Sequence, residues 1–254
     1  MSTPQPRILV IGNIEAYYHH VARLWIYQCG EAIKARGVCR IVLAGGNTPK
    51  RLYEQLADAS YKSQLDWKKV KFFFSDERCV PLDHPDSNYR MVHQALLQHI
   101  PGCTVYPMVQ DAAQPQADAR RYAELLREEL NVDGDDKRRF DLTLLGMGED
   151  GHTASLFPGT DILDDPGLAA AVFVPAKNSW RISLCYSALE LSRHTMLLVN
   201  GAGKAETLQR VFHSQPGPDA ELLPVQRLRT EGRVEWCLDK AAASLIKPEL
   251  LEYF

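Results

Sequence analysis

Short, almost purely apolar runs alternate with longer stretches of helical periodicity along this chain, and this alternation constrains the fold most strongly. A strand that is buried on both faces reads as a continuous apolar run, whereas a strand with one solvated face alternates apolar and polar residues. Apolar runs that are joined by amphipathic helices are typical of a mostly parallel sheet covered on both faces. We therefore predict an α/β protein, a three-layer α/β/α domain with a mostly parallel, Rossmann-like sheet.

The predicted elements follow this alternation. Within residues 88–100, apolar residues recur at helical spacing behind Ser87, a residue type that is favoured as an N-cap. The predicted strands are Arg7–Ile11, Arg40–Leu43, Lys71–Ser75, Phe140–Leu145, Ala171–Pro175, Arg181–Cys185, His194–Asn200 and Arg233–Leu238. The predicted helices are Ile14–Ala35, Lys50–Ala59, Asn88–Ile100, Ala117–Asn131 and Lys204–Phe212.

The sequence contains no internal repeat and no low-complexity tract. Four polar breaks are predicted to be surface loops: Asp111–Gln116, Asp133–Arg139, Thr160–Gly167 and Ser214–Ala220. None of them is long enough to require a domain boundary. We therefore predict a single domain over residues 1–254.

Composition excludes several classes of protein. Among the 254 residues, 45% are hydrophobic and 24% charged, which is ordinary for a globular protein and excludes a disordered or collagen-like chain. The formal charge is 29 − 32 = −3, so the chain lacks the strongly basic character of nucleic-acid-binding domains. Because the electrostatic field of a protein with net negative charge does not attract anions, any anion-binding site must be formed by local cations and amides.

Neither membrane insertion nor secretion is expected. The longest apolar runs, such as Ile8–Ile11 and Met196–Val199, fall far short of the ~20 residues that span a bilayer. The opening Met-Ser-Thr-Pro-Gln-Pro has no apolar signal region. The six cysteines form no C-x-x-C pair, which favours reduced thiols over a disulfide framework. We expect a cytoplasmic monomer or homodimer that has neither nucleic acid nor membrane as a partner.

A glycine pair follows the second predicted strand, in Ile-Val-Leu-Ala-Gly-Gly-Asn-Thr-Pro-Lys. Ligands of parallel sheets bind at the carboxyl ends of the strands. Gly45 and Gly46 allow the backbone to come close to a ligand. Thr48 is predicted as the N-cap of the next helix and Pro49 as its first residue. Free amides at a helix N-terminus suit a phosphate. The alternative is an ordinary tight βα turn, and the segment is no Walker A loop.

Two further predicted strands end in polar residues. Asp76, Glu77 and Arg78 come directly after the apolar Phe-Phe-Phe-Ser, where a ligand crevice would lie or where a solvated ion pair could form. The stretch 140–155 contains G-x-G-x-x-G, with a possible helix after it. A dinucleotide site is disfavoured there, since the motif comes late in the chain and His152 follows its third glycine directly.

His152 is the candidate base. A neutral imidazole is a competent base near pH 7, Asp150 could orient it, and neighbouring glycine amides could donate to an oxyanion. The alternative is a histidine that caps or packs in a loop. Arg181, at the start of a predicted strand, and Lys204, at the start of a predicted helix, are candidate anion ligands. A lysine at a helix start is unfavourable unless an anion lies near it. Singly, each would be a surface salt-bridge partner.

No metal or cofactor is expected. The chain contains no H-E-x-x-H, paired C-x-x-C or EF-hand loop, and it lacks the G-x-S-x-G elbow of serine hydrolases.

Taken in order, these segments resemble the 6-phosphogluconolactonase family, within the larger group that includes glucosamine-6-phosphate deaminase/isomerase. The matching stretches are Leu43–Leu56, Phe72–Asn88, Phe140–Pro158, Arg181–Leu184, Gly201–Leu208 and Trp236–Ala242. The resemblance implies hydrolysis of 6-phospho-D-glucono-1,5-lactone to 6-phosphogluconate, in the oxidative pentose phosphate pathway.

The resemblance also implies roles for individual residues. His152 matches a general base that activates water, and Arg78 matches a cation for the oxyanion or the opened carboxylate. The phosphate loop matches Gly45, Gly46, Asn47 and Thr48, with Arg181 and Lys204 as its basic partners, and Asp76 and Asp150 match acidic pocket positions. Asn47 departs from the family, which usually has a small hydroxyl residue there. An amide can still donate to phosphate.

Two rival functions stay open. The deaminase shares the glycine loop and the Asp-Gly-His turn, but it typically carries a tyrosine at the position of Arg78 and a glutamate where this chain has Leu-Phe-Pro. Phe157 cannot transfer protons. A non-catalytic sugar-phosphate sensor should carry a DNA-binding segment, and there is no room for one before Arg7.

Overall fold

The strands and helices follow the predicted alternation through most of the chain. The structure, a computed structural model, describes residues 6–135, 137–213, 221–230 and 232–254. Its strands are β1 (Arg7–Ile11), β2 (Cys39–Leu43), β3 (Val70–Phe74), β4 (Asp76–Arg78), β5 (Thr104–Val105), β6 (Leu142–Leu145), β7 (Ala169–Val174), β8 (Ser179–Leu184), β9 (His194–Val199), β10 (Arg233–Asp239) and β11 (Glu252–Tyr253). Its helices are α1 (Ile14–Arg36), α2 (Asn47–Leu56), α3 (Ala59–Lys62), α4 (Asn88–Ala95), α5 (Pro115–Leu130), α6 (Tyr186–Leu189) and α7 (Ala205–His213).

The central sheet has eight strands in the order β11-β1-β10-β9-β6-β2-β3-β5, and every neighbouring pair is parallel within the described residues. All residues of β2, β6 and β9 are buried, as expected for strands with helices on both faces. The predicted α/β class with a mostly parallel sheet flanked by helices is confirmed.

The strand order creates a crevice between β2 and β6. After β2 the chain builds β3 and β5 on one side, and it then returns to place β6 on the other side of β2. Loops that leave the carboxyl ends of β2 and β6 therefore part in opposite directions. Such a switch point is where open α/β sheets bind ligands.

A second sheet corrects the prediction. The predicted strands Ala171–Pro175 and Arg181–Cys185 exist as β7 and β8, but they lie outside the parallel sheet. They pair antiparallel with each other, and β8 pairs antiparallel with β4. The physical reason is the short connection at Pro175–Lys177, which closes a hairpin, whereas a parallel pair needs a crossover of a dozen or more residues.

Several predicted boundaries also differ. The helix predicted over Asn88–Ile100 ends at Ala95, and a 3₁₀ turn continues at Leu97–His99. The break predicted at Asp111–Gln116 is cut short because α5 begins at Pro115, whose fixed φ suits a first helical turn. A 3₁₀ turn also interrupts the break at Thr160–Gly167. The break at Ser214–Ala220 lies outside the described residues.

The amino edge of the sheet holds an ionic cluster, defined by the partly exposed Arg7 and the buried His194 and Glu235. Glu235 is 1% exposed, and its two carboxylate oxygens lie 2.9 Å from Nη1 of Arg7 and 2.7 Å from Nε2 of His194. Burial acts to raise the pKa of Glu235, but the adjacent His194 and the charge of Arg7 outweigh it, so that the pKa is lowered. The cluster ties β1, β9 and β10 together.

One hydrophobic cluster contains buried residues of both sheets and of helices α1, α2, α4 and α5. This continuity supports the single domain, which stays a prediction for residues 1–254. Among the described residues, none of the helices combines the length and apolar character needed to cross a membrane.

Candidate active site

The glycine loop after β2 leads directly into α2. Gly46 has φ +100°, a conformation that favours glycine, and it forms the N-cap of α2. The predicted N-cap, Thr48, is therefore wrong, because the helix already begins at Asn47. No side chain of the described residues caps this end of α2, so its amides stay available to an anion. The hydroxyl of Tyr53 donates to the carbonyl of Ala44 at 2.9 Å and accepts from its amide at 3.0 Å, which holds the start of the loop.

Thr48 is linked to the end of β9. Its hydroxyl donates to Oδ1 of Asn200 at 2.6 Å, and Nδ2 of Asn200 donates to the hydroxyl of Tyr18 at 3.3 Å. Asn200 itself lines the cavity described below. The contact holds the first turn of α2 against the end of β9. The loops that follow β2 and β9, two non-adjacent strands, are thereby joined on one side of the site.

Arg78 and Arg181 face each other across the second sheet. They are directly opposite in the antiparallel register of β4 and β8, where like charges destabilise a strand pair. The Nε atoms of both are buried and lack a hydrogen-bond partner among the described residues, although Nη1 of Arg78 donates to the carbonyl of Asp86 at 2.6 Å. Burial lowers the pKa of Arg181, Asp76 opposes this effect and Arg78 adds to it. Anionic groups of a bound ligand would satisfy these Nε–H groups and relieve the repulsion.

Glu77, between the two site residues of β4, fastens this strand to α4. Its buried carboxylate accepts from the amides of Asn88 and Tyr89, both at 2.7 Å, from the amide of Arg78 at 2.8 Å, and from the hydroxyl of Ser87 at 3.1 Å. Burial raises the pKa of Glu77, while these backbone amides act to lower it. A carboxylate at a helix N-terminus is stabilising, so Glu77 fixes the backbone that carries Arg78.

Asp76 connects β4 to the loop after His152. Its carboxylate oxygens accept from Oγ of Ser155 at 2.7 Å and from Oγ of Ser75 at 3.2 Å. The amide of Ser155 donates to Oγ of Ser183 on β8 at 3.1 Å. The second sheet therefore holds the histidine loop in place through two buried serines. We find no helix after Gly151, where one was possible, because these contacts fold the segment into a tight turn.

His152 lies in that turn, and Asp150 contacts it. Nδ1 of His152 is 2.6 Å from Oδ1 of Asp150, and the amide of His152 donates to the same oxygen at 3.1 Å. Burial acts to raise the pKa of Asp150, but the hydrogen bonds and charge of His152 outweigh it, so the pKa is lowered. An ionised carboxylate only accepts, so the neutral imidazole carries its proton on Nδ1 and its lone pair on Nε2.

Lys204 reaches the cavity from the turn after β9. It ends a 3₁₀ turn at Ala202–Lys204, one residue before α7, and its side chain is half-buried. The amide of Gly201 donates to both carboxylate oxygens of Asp239 at 3.1 Å, which fixes the turn to β10. Sheet topology thus brings a cation from β9 next to the loop after β2.

These loops enclose one cavity of about 290 Å³, close to the lower limit of roughly 300 Å³ for small-molecule sites. Nine of the ten predicted site residues line it: Gly45, Gly46, Asn47, Thr48, Asp76, Arg78, His152, Arg181 and Lys204. The tenth, Asp150, is not among the lining residues but contacts Nδ1 of His152. Within the described residues, no three His, Cys, Asp or Glu side chains gather as metal ligands would.

Three residues that build the site were missed, namely Glu77 and Ser155 as structural links and Asn200 as a lining residue. Asn200 ends the predicted strand His194–Asn200, so the rule that placed the other residues at strand ends could have found it. Glu77 stands beside Arg78 in the same segment. Ser155 carries no signal of its own, because its role depends on contacts that only the folded loop creates.

A substitution of Gly148 tests the contact between His152 and Asp150. A Cβ at this position would overlap Nδ1 of His152 and Oδ1 of Asp150, so only glycine leaves room for their hydrogen bond. We expect Gly148→Ala to lower catalytic turnover by about 10²-fold, as a misplaced catalytic group does. Gly30→Ala, in α1 with nothing within 4 Å of the new methyl group, is the control that should leave turnover unchanged. Equal turnover of both variants would contradict this geometry.

An all-parallel sheet with a cation-lined cavity at its switch point defines an α/β protein of the ligand-binding, doubly wound class. The chain belongs to the family of glucosamine-6-phosphate isomerases and 6-phosphogluconolactonases, since the model of that family matches residues 12–236. The resemblance seen in the sequence is thereby confirmed.

Individual relatives agree with this family. A 6-phosphogluconolactonase of Synechocystis is 38% identical over 224 residues, which cover 86% of this chain and 89% of that protein. One of Haemophilus influenzae is 36% identical over 210 residues, which cover 81% of this chain and 87% of that protein. The solved structure of 6-phosphogluconolactonase from Trypanosoma cruzi superposes with a TM-score of 0.82 at 28% identity, covering 97% of this chain and 98% of the other.

Proposed function

We propose that this protein hydrolyses 6-phospho-D-glucono-1,5-lactone to 6-phosphogluconate, a step of the oxidative pentose phosphate pathway. One observation carries the proposal: an imidazole whose Nδ1 is held by Asp150 at 2.6 Å shares its cavity with three cations and with a helix N-terminus that no described side chain caps. The names of the relatives support the same reaction.

The phosphate is assigned to the end of the cavity that is lined by residues 45–48, Arg181 and Lys204. Amides at the start of α2 and the dipole of that helix favour a dianion there. Charge-assisted hydrogen bonds contribute about 1.5–3 kcal/mol each, so two cations can offset the desolvation of a phosphate in a protein of net charge −3.

His152 is assigned as the general base. Nε2 takes a proton from water, whose oxygen attacks the lactone carbonyl carbon, and Asp150 stabilises the imidazolium that forms. The tetrahedral oxyanion is stabilised by Arg78 and nearby backbone amides. When the ring ester bond breaks, the imidazolium returns its proton to the departing oxygen, which becomes a hydroxyl of the open-chain acid.

The test is a stopped assay of freshly generated phosphogluconolactone, read against its spontaneous hydrolysis, with ammonia release from glucosamine 6-phosphate measured in parallel. We expect lactone hydrolysis above the blank, unchanged by a chelator, and no ammonia. Ammonia release without lactonase activity would favour the deaminase instead. Neither activity, with phosphorylated sugar still bound, would favour the sensor.

Arg181→Ala tests the assignment of the phosphate-binding end of the cavity. The loss of a charge-assisted hydrogen bond should raise KM for the phosphorylated lactone roughly ten- to hundredfold, with a smaller effect on kcat. KM for unphosphorylated gluconolactone should hardly change. Arg120→Ala, which removes an exposed arginine of α5 outside the cavity, is the control. An equal rise of KM for both lactones would contradict the assignment.

The cellular setting is part of the proposal. All six cysteines are free thiols, and four of them are buried, which supports a reducing compartment such as the cytoplasm. All assigned residues come from one chain, so a monomer or homodimer would serve equally. Light scattering of the purified protein measures which of the two exists.

A further inference from the structure

The ring of Phe157 lies against the face of the His152 imidazole. The two ring centroids are 4.0 Å apart, and the ring planes differ by 23°, so the rings are stacked. Nδ1 of the same imidazole is hydrogen-bonded to Oδ1 of Asp150. One contact therefore fixes the tautomer, and the other fixes the plane of the ring.

Phe157 is buried in a loop that hydrogen bonds hold in place. Its side chain is only 6% exposed. Its carbonyl accepts from the hydroxyl of Thr160 at 2.7 Å, and the preceding residues close a bridge between Thr153 and Leu156. Ser155, two residues before it, is tied to Asp76. The ring is thus a fixed surface on which the imidazole rests.

An aromatic face has consequences for a base that gains a proton. The imidazole becomes a cation when it deprotonates water, and a cation over an aromatic face is attracted by the ring quadrupole. Phenylalanine also offers no polar atom that could draw the imidazole into a competing hydrogen bond. An aliphatic side chain of similar size would fill the space but would supply neither the flat surface nor the quadrupole.

We propose that Phe157 is a positioning residue for the catalytic base, which sets the plane of the His152 ring for attack by water and stabilises the imidazolium. This proposal rests on the proposed function, because it assigns His152 as the base. It predicts an effect on turnover and none on substrate anchoring, since Phe157 does not line the cavity.

The test compares Phe157→Leu with Phe157→Tyr, which keeps the aromatic face. We expect Phe157→Leu to lower kcat roughly five- to thirtyfold with KM unchanged. Phe157→Tyr should keep most of the wild-type kcat. Phe212→Leu is the matched control, because Phe212 also packs on an aromatic ring, that of Trp236 at 5.0 Å, away from the cavity. Urea midpoints confirm that each variant is folded.

A second measurement does not depend on activity. A stacked phenyl ring shifts the imidazole proton signals of His152 in the NMR spectrum, and those signals are assigned by their absence in His152→Ala. The shift should vanish in Phe157→Leu and persist in Phe157→Tyr. Wild-type kcat in Phe157→Leu, or unshifted His152 signals in the wild type, overturns the positioning role. If the wild type hydrolyses no lactone while the signals are shifted, the proposed function fails although the stacking stands.

Discussion

Replacement of His152 by alanine is expected to lower kcat for the phosphorylated lactone by about 10²–10⁴-fold, the usual contribution of a positioned general base. KM should stay nearly unchanged, because the cations and the helix N-terminus that hold the phosphate are untouched. Initial rates on fresh lactone, corrected for spontaneous hydrolysis, measure both constants. Asp150→Asn should have a smaller effect in the same direction, because the amide can still contact Nδ1 but carries no charge to stabilise the imidazolium.

The control for His152 is another histidine. His99 is exposed on the 3₁₀ turn after α4 and lies outside the cavity, so His99→Ala should retain wild-type kcat. Near-wild-type kcat in His152→Ala would discard the assignment of the base. A large rise in KM at constant kcat would instead move His152 to the binding of substrate.

Replacement of Glu235 by glutamine is expected to lower the free energy of unfolding by about 2–3 kcal/mol, since the buried ring of His194 loses its carboxylate partner. His194 is only 4% exposed, so it would keep a polar ring in the interior without its carboxylate partner. The cavity lies at the opposite edge of the sheet, and kcat of the folded variant should therefore stay unchanged. Urea unfolding at neutral pH measures the loss.

The pH dependence of stability gives this prediction a second readout. The pKa of Glu235 is lower in the folded state than in the unfolded chain, so its contribution is present above the unfolded value and is lost as pH falls through the folded value. Glu235→Gln should therefore lose less stability than the wild type over that acidic window. The control is Glu252→Gln, an exposed partner of the same Arg7, which should cost no more than about 1 kcal/mol. Equal losses from both substitutions would contradict the role of burial.

Apolar periodicity predicted the long elements well, and it failed where pairing is decided by distant residues. The predicted bounds of β1 are those of the structure, because this short, mostly apolar run lies between two turns. Strands β5 and β11 have two residues each, too few for any periodic signal. β4 is not predicted as a strand, because its antiparallel partner β8 lies about a hundred residues later and leaves no trace in the local sequence.

The site residues were predictable for a related reason. Strand ends collect at one edge of a parallel sheet, so glycines and charges that follow apolar runs were expected to meet there. The supporting contacts were not predictable, since Thr48 and Asn200 are 152 positions apart and Asp76 and Ser155 are 79 apart. Strand pairing and loop packing bring such residues together, and a single sequence does not encode them locally.

A crystal structure of His152→Ala with bound 6-phosphogluconate would test the central claim most directly, that one cavity holds the phosphate at one end and the reacting carbonyl carbon at the other. The account predicts the phosphate within hydrogen-bond distance of Arg181, Lys204 and the amides at the start of α2, with the carboxylate beside position 152. A reversed product, with its phosphate beside position 152, or a product bound outside this cavity would contradict the account.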